Sequence, residues 1–408
     1  MGISNRTYTL RKCSYAVDFD RVRRDVNIVI EDDKIKYVGN EVEGDELDCS
    51  EFIVIPGLVN AHTHSAMTVL RGLYDEGELR EWLSVIWKEE EKLSKDLMRL
   101  GTELAITEMI MWGTTAFIDM YFNPDQVRDL SLAYGIRSMA GPVLMRDKSV
   151  DDVIKELKAL GEHDLFKPII NVHSLYAVDL AKIRELKESL NERPYIHMHL
   201  SETREELSEI KRKYGLFPIE LIYRENLIKY THGVHLGWVS SWELSYLKAS
   251  LGVTHCPSSN MKLATGGSFP MREALINSIN VTLGTDGAAS NNSLSMFHEM
   301  KTAVLLQRHN YWSTEINASD VFMAATFNGY KMLGLKGGKI EPGYLADLVL
   351  IDKYQLYPWI ENRILSHVVY NPPRSVDIVI VAGKIIYKKN GKLDDKFKKL
   401  INSLSSYF

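Results

Sequence analysis

Cysteine is scarce: Cys13, Cys49 and Cys256 are the only three in 408 residues. They lie far apart and form no C-x-x-C pair. This excludes a disulfide-stapled mini-protein and reads as reduced thiols in a cytosolic protein. Long apolar runs are missing as well. The stretches 52–59 and 377–382 are strand-length, well short of a membrane span. The opening MGISNRTYTLRKC has no apolar h-region, so the expectation is no signal peptide and a cytoplasmic location. Neither charge sign dominates: 49 Lys and Arg stand against 54 Asp and Glu, a net charge of -5. A general nucleic-acid binder would carry a basic excess, so the partner expected is a small molecule, with no nucleic acid and no membrane. No low-complexity tract or Pro/Ser-rich linker divides the chain. What remains is 45% hydrophobic and 25% charged residues, the balance of a globular protein large enough to bury a core without staples.

The two ends differ from the middle. Residues 6–50 and 345–388 read as β-hairpins, runs of β-branched residues split by polar turns. The middle alternates short apolar strands with helical patterns: FIVIPGLVNAH, TTAFIDM, IRSMAGPVLM, PIINVHS, YIHMHLSE, IKYTHGVHL, GVTHCP and INVTLGTDGA. Eight such βα units predict a closed (β/α)8 barrel over residues 56–339. Residues 1–55 and 340–408 are expected to meet in a composite small β domain, a sandwich built from both chain ends.

The polar residues gather where these strands end. Most of the twelve histidines lie there, and in a barrel the C-terminal mouth carries the active site. His62 and His64 are two apart on one strand, so both point to one side and can meet one metal. Asp286 alone would read as a turn residue beside Gly287. Strands 1 and 8 adjoin when a barrel closes, however, which makes Asp286 a carboxylate ligand. His199 supplies a third imidazole. His197, of the same parity, is expected one layer deeper as a packed interior histidine. Glu202 is either a carboxylate favoured by the dipole of the helix that follows or a proton shuttle at the mouth. His232 and His235 differ in parity, so only one can face the centre of a regular strand. The reading takes His232 and leaves His235 to a loop. His255 either lines the mouth or makes a structural polar contact.

The stretches PGLVNAHTHSAMTVLRG, FIDMYF, HLSETREE, THGVHL, HCPSSNMKLATGG, LGTDGAASNNS and GYLADLVLID together resemble the metal-dependent amidohydrolase superfamily. More narrowly they resemble the deaminases of 5'-methylthioadenosine and S-adenosylhomocysteine. The resemblance covers about Pro56 to Asp352. It implies a hydrolase that converts an adenosine-type nucleoside to its inosine analogue plus ammonia. By the same resemblance His62, His64, His199 and Asp286 hold one divalent metal, with Zn2+ preferred and Fe2+ or Mn2+ also fitting. Glu202 shuttles a proton to ring N1, Asp286 doubles as base and His232 assists the attacking water. His173 contacts the substrate, and Glu90 holds the ribose hydroxyls. Strand 4 has no Lys to bridge two metals, which supports a single one. The chain departs from the pattern at strand 3, where Ala140-Gly141-Pro142-Val143 lacks an Arg suited to an amino-acid carboxylate; Arg146 is the candidate substitute. Guanine or cytosine deamination and triazine dechlorination stay open as other reactions on the same scaffold, and a homo-oligomer stays open as the assembly. A non-catalytic barrel kept for assembly would be expected to lose its ligands, and these are all present.

Overall fold

The computed structural model describes residues 7–145, 147–190 and 195–407. Eight parallel strands follow one another around a ring. The first two are Leu58–Thr63 and Thr114–Asp119. The third runs as Arg137–Ala140 and Val143–Leu144, the fourth as Phe166–Pro168 and Ile170–Val172. The last four are Ile196–Leu200, Thr231–His235, Gly252–His255 and Val281–Leu283. Every ladder between neighbours is parallel. The breaks in the third and fourth strands coincide at Gly141. A Cβ there would lie 1.6 Å from the Ile169 carbonyl oxygen, so glycine is required for this close approach.

Helices cover the outside of the ring. Val150–Leu160 starts where Ser149 Oγ accepts the Asp152 N–H and buries Val150, Val153 and Leu160 at helical spacing. Pro124–Tyr134 begins on its proline and ends at Gly135 with φ +74°, the usual asymmetry of helix ends. These faces join one large apolar cluster with the strands, in which Phe117, Phe166, Phe297 and Phe322 are fully buried.

The two chain ends meet in one eight-stranded sheet. Phe52–Pro56 pairs antiparallel with Leu348–Asp352 and parallel with Thr7–Val17. Alternate residues of these strands face a second cluster that includes Leu10, Ile28, Val54, Leu348 and Ile380. Pairing is continuous through this sheet, in which Thr7–Val17 carries a bulge between Leu10 and Cys13 and pairs with Asp45–Asp48 before it and Phe52–Pro56 after it. The C-terminal part also holds more than strands. Helices Ile364–Tyr370 and Lys392–Ser405 pack on the barrel's outer helices, which hairpin patterning did not foresee.

One carboxylate ties the sheet to the barrel. Asp347 accepts from Arg137 Nε at 2.6 Å and Nη2 at 3.2 Å, from the Tyr330 hydroxyl at 2.7 Å and from the Ala382 N–H at 2.7 Å. Both charged groups are buried. Removing one partner of such a pair leaves an uncompensated charge, which costs about 3–5 kcal/mol. Asp347→Ala is therefore expected to lower the unfolding free energy by about that much, read from the midpoint of a urea titration.

Candidate metal centre and its cavity

Strand 1 delivers His62 and His64 to the ring's interior, and the eighth strand ends three residues before Asp286. The two strands make no ladder. Asn60 bridges them instead: its Nδ2 donates to Thr285 Oγ1 at 2.7 Å and its Oδ1 accepts the Thr285 N–H at 2.9 Å. The Asp286 N–H donates to the His62 carbonyl at 3.0 Å. Asp286 Oδ1 then stands 3.3 Å from His62 Nε2 and 3.1 Å from His64 Nε2. His199 Nε2 is 3.3 Å from His62 Nε2. The His235 ring completes the group, with centroids 5.2 Å from His199 and 5.7 Å from His62.

The hydrogen bonds behind the rings decide which nitrogens are bare. Asn171 Nδ2 donates to the carbonyls of Gly141 and Asp119, at 2.8 and 3.2 Å. Its Oδ1 is thereby left to accept from His197 Nδ1 at 2.9 Å. His197 Nε2 must then accept from His62 Nδ1, 3.0 Å away, so His62 Nε2 carries a lone pair. His64 Nδ1 donates to the Met120 carbonyl at 2.6 Å and His235 Nδ1 to Asn260 Oδ1 at 2.9 Å, which bares both Nε2 atoms in the same way when the rings are neutral. The second oxygen of Asp286 accepts from Ser259 and Ser290, at 2.6 and 2.8 Å, and only Oδ1 is left for the cluster. The His62 Nε2 lone pair and Asp286 Oδ1 stand 3.3 Å apart as two acceptors, a contact that a cation between them would relieve. Imidazole nitrogens with one carboxylate are the donor set of a catalytic divalent-metal site, and the outer hydrogen bonds orient its ligands. Two overlapping triplets meet the distances for a metal: His62, His64 and Asp286, and His62, His199 and His235.

Charge in this pocket follows from burial and the carboxylate. Burial pushes His62 down to about 3, and burial also drives His199 well below the usual imidazole range. For His64 burial works in the same direction, but Asp286 overrides it and raises the ring to about 9, so without a metal a proton on His64 Nε2 faces Asp286, and Nε2 is bare only where a metal takes that proton's place. Asp286 itself is held well below the carboxylate range by His62 and His64 against the opposing effect of burial. Burial raises Glu202, whose Oε1 lies 3.6 Å from His235 Nε2.

His232 is elsewhere. It lies one layer below, stacked on His197 at 4.6 Å, with Nε2 2.5 Å from Thr254 Oγ1 and Nδ1 2.9 Å from the Tyr195 hydroxyl. His235 takes the place expected for it. Strict alternation fails here because His235 and Leu236 both have positive φ, 74° and 49°, and the strand end turns the off-parity side chain inward. His255 is buried against Phe269, burial pushes it down to about 3, and among the described residues neither ring nitrogen has a hydrogen-bond partner. Glu202 precedes the N-cap Thr203 of helix Arg204–Tyr214 and stands outside that helix; Glu205 and Glu206 fill its first turn.

A cavity opens over the cluster. Its lining includes His64, His199, His235, Glu202 and Asp286 on the floor, with Trp82, Trp87, Glu90, Tyr121, His173 and Tyr176 around them. His173 packs edge-on against Trp87, Tyr176 and His199, and burial lowers it to about 4. Glu90 accepts from the Tyr121 hydroxyl at 2.7 Å through Oε1; burial raises it. Beyond Trp87, Phe122 and Met145 the cavity continues into a groove that also meets Asp147, Lys148, Asp152, Lys155 and Glu156. Arg146 lies outside the described residues. Sequence reading missed the aromatic wall, Tyr121 and the two serines behind Asp286. Of these only Ser290 left a signal, four residues after Asp286 within one turn.

The sequence profile of the amidohydrolase family matches residues 53–386. The chain belongs to the amidohydrolase family. Among other amidohydrolases it is 38% identical to the 5-methylthioadenosine/S-adenosylhomocysteine deaminase of Pyrococcus furiosus, across 95% of this chain and 98% of that one. It is also 38% identical to the 5'-deoxyadenosine deaminase of Methanothermobacter thermautotrophicus, across 95% of each. The crystal structure of an adenosine deaminase from Xanthomonas campestris with bound zinc superposes with a TM-score of 0.90 at 28% identity, covering 98% of both chains. A triazine hydrolase superposes at 0.87 with 19% identity, a likeness of fold alone.

The donor set predicts about one tightly held divalent metal per chain. Elemental analysis of the purified protein is expected to return about one equivalent, and Asp286→Ala to return well under half of that. Two equivalents in the unaltered protein would contradict the single-site geometry.

Proposed function

We propose that this amidohydrolase is a hydrolytic deaminase that converts an adenosine-type nucleoside to its inosine analogue and ammonia. The observation that carries the reading is the convergence of imidazole Nε2 atoms and Asp286 Oδ1 under a cavity bordered by Glu202, in a chain 38% identical to two deaminases of such nucleosides. His62, His64, His199 and Asp286 would hold the metal, and Zn2+ suits three imidazoles and a carboxylate. When bound, it supplies Lewis-acid activation of water.

The chain's own groups do the rest. Glu202, kept protonated to higher pH by burial, delivers a proton to ring N1 and makes C6 electrophilic. Asp286 Oδ1 accepts the proton of the attacking water and passes it to the departing ammonia; its other oxygen is already engaged. His235, with Nδ1 committed to Asn260, offers Nε2 to the same water, the role that sequence reading had given His232. Steps of this kind contribute roughly 10²–10⁴-fold each. His173 borders the purine. Glu90, oriented by Tyr121, accepts the ribose hydroxyls. In the same reading residues 56–339 form the catalytic unit, with 1–55 and 340–408 as a supporting composite domain.

The groove beyond Trp87 receives the 5' substituent. Trp87, Phe122, Val143, Met145 and Tyr176 line its entrance, an apolar collar suited to a methylthio or deoxy terminus. A carboxylate prefers a planar bidentate guanidinium, and strand 3 offers none at Ala140–Val143.

Two experiments test the proposal. Relative kcat/KM is expected to run 5'-methylthioadenosine at or above S-adenosylhomocysteine, with 2'-deoxyadenosine and free adenine far lower. A site built to bond hydroxyls rejects analogues lacking them, and Glu90→Ala should flatten that difference. Equal rates on base and nucleoside would refute the ribose role; a strong preference for S-adenosylhomocysteine lost in Arg146→Ala would mark Arg146 as the carboxylate partner. In the second, His235→Asn should lower turnover at least about 10²-fold, whereas His232→Asn should chiefly lower thermal stability. The opposite pattern would restore His232 to the reaction.

A further inference from the structure

Glu202 has to aim its carboxylate without an anchor of its own. Among the described residues its side chain makes no hydrogen bond, and its ion-pair neighbour, His235 Nε2, is 3.6 Å away. The position of its Cα therefore decides which points its carboxylate can reach. The backbone there is unfavourable by itself: Ser201 has φ +51°, a region that side-chain-bearing residues seldom adopt.

A second carboxylate grips this turn. Glu206 Oε1 accepts the Ser201 N–H at 3.1 Å, and Oε2 accepts the Glu202 N–H at 2.8 Å. Glu206 is the third residue of helix Arg204–Tyr214, and its own N–H donates to Thr203 Oγ1 at 3.1 Å. In a capping box the carboxylate at this position returns to the N-cap's own N–H. Here it reaches further, to the two residues that carry the turn. It is 2% exposed, and burial raises it to about 8 against the pull of the N–H groups it accepts. An ordinary helix cap stands in solvent, where it has no desolvation penalty to offset. This one is buried behind the backbone of Glu202, whose side chain borders the cavity.

We propose that Glu206 is a positioning residue for deamination: its carboxylate clasps the Ser201–Glu202 backbone and so holds the Glu202 carboxylate in register with the substrate ring. The proposal rests on the reading of Glu202 as the proton carrier. Misplacement of a catalytic group by about 1 Å costs up to ~10²-fold, and a residue acting only through another shows no separate effect once that other is gone.

A double-mutant cycle tests this on the metal-loaded enzyme with 5'-methylthioadenosine, with metal content and melting temperature followed for each variant. Glu206→Ala is expected to lower kcat about 10–100-fold with KM and metal content little changed. Glu206→Gln keeps the volume and one carbonyl acceptor and should recover part of the loss. In the Glu202→Gln background the Glu206→Ala change should cost under about 3-fold. The same large loss in both backgrounds, or an unchanged kcat in Glu206→Ala, would overturn the proposal. If Glu206→Ala does not fold, Glu206→Gln carries the same cycle with the same two outcomes. Near-normal turnover in Glu202→Gln alone would instead overturn the role of Glu202, a failure distinct from that of the clasp.

Discussion

The ring of eight strands closes without a strand ladder, and everything at its centre depends on how that is done. Asn60 spans the gap with both ends of its amide, and the Asp286 N–H meets the His62 carbonyl. The approach needs Gly284. A Cβ there would stand 2.8–2.9 Å from the His62 backbone and side chain, closer than real contacts allow. Because the two strands can come this near, a carboxylate from the last strand reaches the two histidines of the first. Residues from opposite ends of the barrel sequence thus become one cluster with the spacing of a metal site, and the cavity, the serines behind Asp286 and Glu202 are arranged around it.

Much of this was legible in the residues themselves. Alternation put His62 and His64 on one side, the closure rule brought in Asp286, and eight apolar runs counted out the barrel. What the pattern could not carry was departure from regular backbone. His235 turns inward because two successive residues take positive φ, a property no side-chain alternation encodes. The sheet from both chain ends was visible as hairpins. Ile364–Tyr370 and Lys392–Ser405 were not, because their packing against distant helices decides their state, not local strand or turn signals. No local pattern pairs Arg137 with Asp347, 210 residues apart; the fold places them face to face in the interior.

The metal centre shows a division of labour between rings that touch the centre and rings that do not. His197 and His232 lie beneath it, and Asn171 sets the proton position of His197, which in turn sets that of His62. The orientation of one buried amide thereby decides where a lone pair appears two residues away in the relay. Second partners of this sort tune metal ligands generally. Here they form a relay from Asn171 through His197 to His62, with His232 stacked on His197.

The strand pairing of the small sheet has a consequence for the order in which the chain can assemble. Phe52–Pro56 must wait for Leu348–Asp352, and nearly the whole barrel lies between them in sequence. Contacts of such long separation form slowly, since the intervening loop must be closed first. Until then Phe52–Pro56 and its neighbours expose an unpaired edge, the kind of surface that invites association with other unfinished chains. On a ribosome that interval lasts through synthesis of the barrel, so a chaperone that shields the first strands would act on yield more than on the finished fold.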